Sequence, residues 1–599
     1  MKKLGKSILA LALCATTGLS MMACNGEVGT TGDETTTKIV FRLQNGGLGR
    51  DWLDSAFARF AELKKDYSYA PGKKGVSLEV EMTGSVDLKT AATDGTNIYA
   101  LHQVASLSKL VDTGDILCID DIITADTDMR NGEPISIEDK MPEAYRQMYK
   151  GSDNQYYAVP GCEYFPGLAY DIGTFEDIGL YLANPNYQNE ADAQKYYSEV
   201  LQQDFYFLYP NSDASMRTCG PDGKTETAYD NGLPSSIYEF IALCEFMSSQ
   251  GVTPISFAGA YVNYSNFMLS GLMASLQGYD RANSMYTLDG EVDIVVGFEN
   301  TPLYPGVPSI KKPIVKKVQM TEETGYYASW SVEKYYAESV LELCMLRGWL
   351  DNDCYDSNIT QKMIMQNFIF NDVGDNHRRG MLAESTFWYN EANISGYFKM
   401  YDQASGFDEY KQEKKLGWMS LPVTFDTPVS EGEGDAQTWI ETWREMYVIN
   451  ANIKDNVELM NACKDLIVFL NTDAELSKYT MNMNLTKPLI YDVAADDYDN
   501  MSVYGRYLYA LKKDAKPIYF SANNETFQKN SAVFDQSYES GYFSYKTYNS
   551  YFVAREGNTL TKSCDEVFVG QAYTKQQWKA IYAGNGTAGE GGVYDSIVR

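Results

Sequence analysis

The chain has 599 residues and a formal net charge of −31, and 13% of its residues are aromatic, with Tyr alone accounting for 47. An acidic excess on this scale excludes nucleic acid and anionic lipid as partners of the surface, because both need clustered Lys and Arg. The length exceeds what one hydrophobic core usually serves, which predicts two or more lobes.

Lys2, Lys3 and Lys6 precede an apolar run over 8–19, followed by Met21-Met22-Ala23-Cys24. A basic start, a short apolar core and a small residue before the cut predict a secretory signal over 1–23, since a membrane span requires roughly 20 apolar residues. The last four residues resemble a bacterial lipobox, which makes Cys24 the expected lipidation site. The polar stretch 24–38 then reads as a flexible tether. No later stretch approaches 18 uncharged apolar residues, so the expected membrane contact is the lipid on Cys24 alone.

Lys38-Ile-Val-Phe-Arg-Leu43 alternates as a strand, Gly46-Gly-Leu-Gly49 breaks it, and 51–64 carries Trp52, Leu53, Phe57 and Phe60 at helical spacing. A second strand over 75–82 completes a βαβ unit and predicts a parallel sheet covered by helices, an α/β fold. Two short apolar pieces follow at 157–161 and 167–170, then a helix-like stretch at 173–179. Another isolated strand is expected at 417–422. From Tyr447 the chain passes through a strand and a turn into a helix over 457–470.

Apart from Cys14 and Cys24, eight cysteines are scattered between 118 and 564 without a Cys-x-x-Cys pair, and His102 and His377 are the only histidines. A zinc or redox site is therefore not expected, and disulfides stay open. Asp126, Asp128, Asn131 and Glu138 approximate a calcium loop with one residue too many before Gly132, the alternative being a solvated acidic turn. No other cofactor is expected.

Several pieces occur in an order that resembles one family. They are the lipobox and tether, Gly46-Gly-Leu-Gly-Arg-Asp-Trp52, Tyr157-Ala-Val-Pro160 through Leu168-Ala-Tyr-Asp171, and Pro234-Ser-Ser-Ile-Tyr-Glu-Phe240. Arg379-Gly-Met-Leu-Ala383 with Trp388, Leu416-Gly-Trp-Met-Ser-Leu-Pro422 and Ile449-Asn-Ala-Asn-Ile-Lys-Asp-Asn456 follow. Together they resemble the extracellular solute-binding lipoproteins of bacterial ABC importers, in the carbohydrate-uptake branch that includes maltose-binding protein. The resemblance implies a two-lobe, type II binding-protein fold, with 39–160 plus 423–500 as the first lobe and 161–422 plus 501–599 as the second. About 200 residues exceed a compact member, mostly within 184–230, 290–325 and 500–599, where added rims or a larger cleft are expected. Some large members hold a structural calcium, which keeps the 126–138 loop a candidate.

A glycan cleft needs aromatic planes for the C–H faces of sugar rings, beside carboxylates, amides or Arg for the hydroxyls. The resemblance puts such groups at Arg50, Asp51 and Trp52, at Glu163 and Tyr164 after the first crossing between lobes, and at Asn263 and Tyr264 in a second-lobe loop. It also puts the stacking aromatics at Trp388 and Tyr389. Trp330 and Trp439 lie beside other aromatics and are further candidates, with core packing the alternative for every Trp.

The implied function is capture of a carbohydrate, in particular an oligosaccharide, by a monomeric lipid-anchored receptor on the outer face of the cell membrane. Delivery to ABC permease subunits follows, with no catalytic residue. The competing reading is a secreted glycoside hydrolase, which would need only two carboxylates roughly 5 to 10 Å apart. The sequence contains neither a Gly-x-Ser-x-Gly elbow nor a His-Glu-x-x-His helix. A non-sugar ligand such as a peptide is the third.

Overall fold

The computed structural model describes residues 35–44, 47–83, 95–102, 107–125, 133, 135–225, 227–229, 231–261, 264–373, 377–404, 414–441, 443–519, 555–556, 559–560, 562–576 and 578. The export signal, Cys24 and the tether up to residue 34 lie outside the described residues, as do Asn263 and residues 126–132 of the acidic loop.

Two sheets organise the chain. The first has the order β2-β1-β3-β14-β4, built from β1 (Thr37–Gln44), β2 (Val76–Thr83), β3 (Ile98–His102), β4 (Val159–Tyr164) and β14 (Trp443–Ile449). β1 runs parallel to β2 and β3, and β14 runs antiparallel to both β3 and β4. Alternation decides which face is which: Ile39, Phe41 and Leu43 are buried, while Lys38 and Arg42 pair with Glu79 and Glu81 on β2. The helix Asp51–Lys64 between β1 and β2 buries Trp52, Leu53, Ala56, Phe57 and Phe60. The later helix Val457–Phe469 contributes Leu466 and Ile467 to the same core.

The second sheet has the order β12-β5-β11-β8, from β5 (Pro166–Asp171), β8 (Thr253–Ser256), β11 (Arg379–Ser385) and β12 (Leu416–Trp418). β4, β5, β11 and β12 are buried along their whole length, as strands covered on both faces must be. The covering helix Ile237–Ser249 opens on a capping box: the Ser236 side chain accepts from the Glu239 amide while the Glu239 carboxylate accepts from the Ser236 amide.

The chain leaves the first sheet at Tyr164 and enters the second at Pro166, so the crossing centres on Phe165. That is a few residues beyond the expected 160/161 boundary, because β14 pairs with β4 as far as Tyr164. A further connection runs through β13 (Thr438–Ile440), which pairs in parallel with β15 (Lys516–Ile518). The insertions at 184–230 and 290–325 contain two hairpins, β6–β7 (Ala193–Ser198, Gln203–Leu208) and the long β9–β10 (Glu291–Tyr304, Val307–Gln319). All eight described cysteines are free thiols. Among the described residues no helix is long and apolar enough to cross a membrane.

Candidate functional site

In the first sheet the parallel strands β1 and β3 end at the edge where β14 begins, since His102 stands opposite Glu445 and Trp443 opposite Tyr164. In the second, β8 ends at Ser256 opposite Leu382, and β11 runs on in the same direction to Ser385, which stands opposite Pro166. Tyr164 and Pro166 flank one residue, so the carboxyl ends of both sheets meet at a single hinge. Loops leaving such ends form the crevice in which open α/β sheets bind ligands.

The lobes are closed on one another there. The loop after β1 holds Gly47 and Gly49 at φ of +87° and +67°. Against it lies the helix Trp388–Ile394, whose Asn390 side-chain amide donates to the carbonyls of Gly47 (3.3 Å) and Leu48 (3.1 Å). A Cβ on Gly49 would lie 2.7 Å from Ile394 Cδ1, so glycine permits both the turn and the close approach.

Behind this contact is an aromatic cluster. Trp388 is fully buried, with Phe368 and Tyr504 edge-on at 5.8 Å each. Tyr389 stacks on Tyr504 at 4.7 Å and 6°, and Tyr164 meets Phe387 edge-on at 5.0 Å. Oε1 of Glu384 has no partner within the protein, whereas the Trp388 indole N–H interacts with the Tyr504 hydroxyl. The other Glu384 oxygen accepts from the Ser385 amide at 3.1 Å. Burial pushes the Glu384 carboxyl well above the usual carboxylate range, and the neighbouring Glu391 pushes it further. Glu391 is itself raised by burial, against the opposing charge of Lys362. An unpartnered buried carboxyl oxygen is rare in a folded protein, and this one shares a site with stacked aromatics.

On the first-lobe side of the hinge, Glu163 is buried and fully engaged. Its oxygens take Lys512 Nζ at 2.7 Å, the Tyr519 hydroxyl at 3.0 Å and the Thr486 hydroxyl at 2.6 Å. Nearby, Lys487 is buried with its ammonium 5.0 to 5.9 Å from the rings of Tyr479, Tyr447 and Trp52, and donates no hydrogen bond. Desolvation lowers its pKa to about 8, opposed by Glu445, Cys162 and Glu475. Between about pH 8 and the ordinary lysine range the unfolded chain holds this proton and the native protein does not, so stability rises with pH across that window. The shift corresponds to a cost of about 3 kcal/mol at neutral pH. Lys487→Met is therefore expected to unfold at higher denaturant than the parent at pH 7, with the gap shrinking as pH approaches 10. Parallel denaturation curves at both pH values check this.

Of the residues singled out in the sequence, Arg50, Asp51 and Trp52 follow β1 at the cleft edge. Arg50 bonds Asp54 at 2.7 Å, Asp51 is exposed in the first helical turn, and Trp52 is sandwiched within the first lobe, stacked on Tyr447. Trp439 packs on the hinge residue Phe165 at 5.1 Å, and Tyr264 follows β8 at the head of the helix Ser265–Thr287. Trp330 goes elsewhere: its indole N–H donates to the Tyr573 carbonyl at 2.8 Å and its ring meets Phe568 of the helix Cys564–Gln571. Glu138, the described member of the acidic loop, accepts from the Tyr156 hydroxyl at 2.8 Å. Among the described residues no group of His, Cys, Asp and Glu could hold a metal ion.

Glu384, Asn390 and Tyr504 escaped sequence reasoning. For Glu384 a signal existed, a lone acid ending the apolar run Met381-Leu-Ala383; Tyr504 reaches the site from more than a hundred residues away with no local mark.

The order β2-β1-β3-β14-β4, with a second sheet reached through crossings at one hinge, defines a two-lobed α/β fold. No protein-family model matches the chain, and no curated protein matches it either. Solved structures similar over nearly the whole chain include a chitin oligosaccharide binding protein, at 14% identity and TM-score 0.47, covering 92% of this chain and 99% of that one. Others are the SBP RafE in complex with raffinose (13%, 0.44, covering 86% and 97%) and maltose-bound MalE3 of T. maritima (10%, 0.46, covering 91% and 99%). At such identities and TM-scores none of these likenesses transfers a residue or a ligand to this chain.

Proposed function

We propose that this chain is the substrate receptor of an ABC importer and captures an oligosaccharide between its lobes for delivery to membrane permease subunits. The observation that carries the reading is the cluster at the hinge: stacked Tyr389 and Tyr504 and buried Trp388, beside a Glu384 carboxyl oxygen that no protein group satisfies. Sugar C–H faces suit the rings, and hydroxyls suit the Glu384 carboxyl. Because Trp388 is enclosed when the lobes meet, ligand enters an open form and gains these contacts on closure, which shifts the population toward the closed state. No covalent step is needed.

Arg50, Asp51 and Tyr264 are proposed as rim contacts, Tyr164 and Asn263 as further ligand contacts, and Glu163 as the hinge support behind them. The motif around Cys24 supports anchoring by a lipid on the outer face of the cell membrane, as a monomer. Incorporation of an alkyne fatty acid, lost in Cys24→Ser, tests that anchor.

One observation also suits the hydrolase alternative: Glu384 and Glu391 both have raised pKa values, as a general acid requires. A thermal-shift screen and calorimetry on the soluble chain from residue 25, against neutral oligosaccharides including those of chitin, raffinose and maltose type, separates the readings. Tight binding of one glycan class recovered intact is the expected result. Shortened products establish the hydrolase, and silence across the panel points to a non-sugar ligand such as a peptide.

A further inference from the structure

A cavity of about 210 Å³ lies in the second lobe away from the hinge. β5 starts at the cleft edge with Pro166 and ends at Asp171 on the opposite edge of its sheet, where the helix Ile172–Ile178 begins. The cavity is lined by the end of that helix and by the loop that follows β7.

Its main feature is Arg217. The guanidinium carbon lies over the Tyr181 ring, 3.6 Å from the centroid, and Nε is buried with no hydrogen-bond partner. Among the described residues no carboxylate comes within ion-pairing distance of it, in a protein with 81 acids and 50 Lys and Arg. Glu176, the acid in the wall, is already neutralised by Lys415 at 3.0 Å. Asp213 feels the Arg217 charge, yet it is fully exposed and accepts from the Ser215 amide (2.9 Å) and hydroxyl (2.7 Å). The cavity therefore presents one uncompensated cation.

The end of a helix would ordinarily repel an anion, but these carbonyls are occupied. Phe175 O accepts from the Gly179 and Leu180 amides, and Glu176 O accepts from the Asn211 amide. Gly179 makes the fit possible, since a Cβ there, at φ +79°, would lie 2.3 Å from Leu208 O. Asn211 and Ser212 provide polar walls, and the ring of Tyr209 provides a half-exposed aromatic one.

We infer that this cavity is a binding site for a small organic carboxylate of monosaccharide size, a uronic acid, held by Arg217 and independent of the interlobe cleft. A planar guanidinium with free donors matches a carboxylate bidentately. The volume falls below the roughly 300–1,000 Å³ of drug-sized pockets, which limits the body to about one ring. Hydroxyls on that ring meet Glu176, Asn211 and Ser212, and its apolar face meets Tyr209.

The test titrates the soluble chain from residue 25 with galacturonate and glucuronate against galactose and glucose, by calorimetry and ligand-observed NMR. A uronate is expected to bind at least about tenfold more tightly than its neutral counterpart, and Arg217→Gln to lose at least about tenfold in uronate affinity. Ser212→Trp, which fills the mouth from a half-exposed position, should abolish uronate binding and serves as the deciding variant if Arg217→Gln does not fold. Neither substitution should change the titration of whatever glycan the cleft binds, so failure here is distinct from failure of the receptor reading. Equal binding of acid and neutral sugar, uronate binding that survives both substitutions, or none up to about 10 mM overturns the proposal.

Discussion

Replacing Trp388 by Ala is expected to weaken oligosaccharide binding by about 1–3 kcal/mol, the value of a central aromatic contact. It is also expected to lower the stability of the protein by about 3–5 kcal/mol. As a stacking residue known from sequence alone, Trp388 would be removable without harm to the fold. The structure alters that expectation, because the ring is fully enclosed by Phe368, Tyr389 and Tyr504 and its loss leaves a cavity. Trp388→Phe separates the two effects, since it retains much of the packing and removes the indole N–H beside the Tyr504 hydroxyl. Calorimetric affinity read beside a denaturant midpoint checks both variants. Undiminished affinity in Trp388→Phe and Trp388→Ala alike would take the residue out of the site, whatever happens to stability.

Glu163→Ala is expected to cost about 3–5 kcal/mol of stability, because it leaves Lys512 largely buried and without its counter-charge. The carboxylate ties the crossing strand β4 to three segments that arrive late in the chain, through Thr486, Lys512 and Tyr519. Pairing it with Lys512→Met should recover much of the loss, as apolar replacement of a whole buried ion pair often does. Sugar affinity distinguishes a hinge support from a direct contact. With both oxygens engaged in the protein, Glu163→Gln should change affinity by less than about tenfold, whereas a residue that holds a sugar hydroxyl would lose more. Equilibrium unfolding and calorimetry on the same samples settle the point.

Much of the scaffold was legible in the sequence because local pattern and tertiary environment agree. The alternation of Ile39, Phe41 and Leu43, the glycine break and the Trp52–Phe60 periodicity appear as β1, its turn and the helix Asp51–Lys64. The piece Pro234-Ser-Ser-Ile-Tyr-Glu-Phe240 singled out in the sequence opens the helix Ile237–Ser249, through a Ser236–Glu239 capping box. The site was less legible. Aromatics stand out in a sequence, but whether a Trp faces a cleft or a core depends on partners hundreds of residues away. Trp388 and Tyr504 meet across 116 positions, while Trp330 is drawn to Phe568 and Tyr573 instead. A charged residue such as Lys487 carries no sequence mark of burial, since nothing local distinguishes it from lysines on the surface. The insertions form hairpins, β6–β7 and β9–β10, whose pairing is local but whose place on the lobe is set by contacts with distant helices.

The most direct test of cleft capture is small-angle X-ray scattering of the soluble chain from residue 25, with and without the oligosaccharide identified by calorimetry. Opening about the Phe165 hinge and closing on ligand predicts a smaller radius of gyration in the complex, with Trp388→Ala requiring more sugar for the same contraction. A complex that forms with full affinity and an unchanged scattering profile would contradict the account, and would place the sugar outside the space between the lobes.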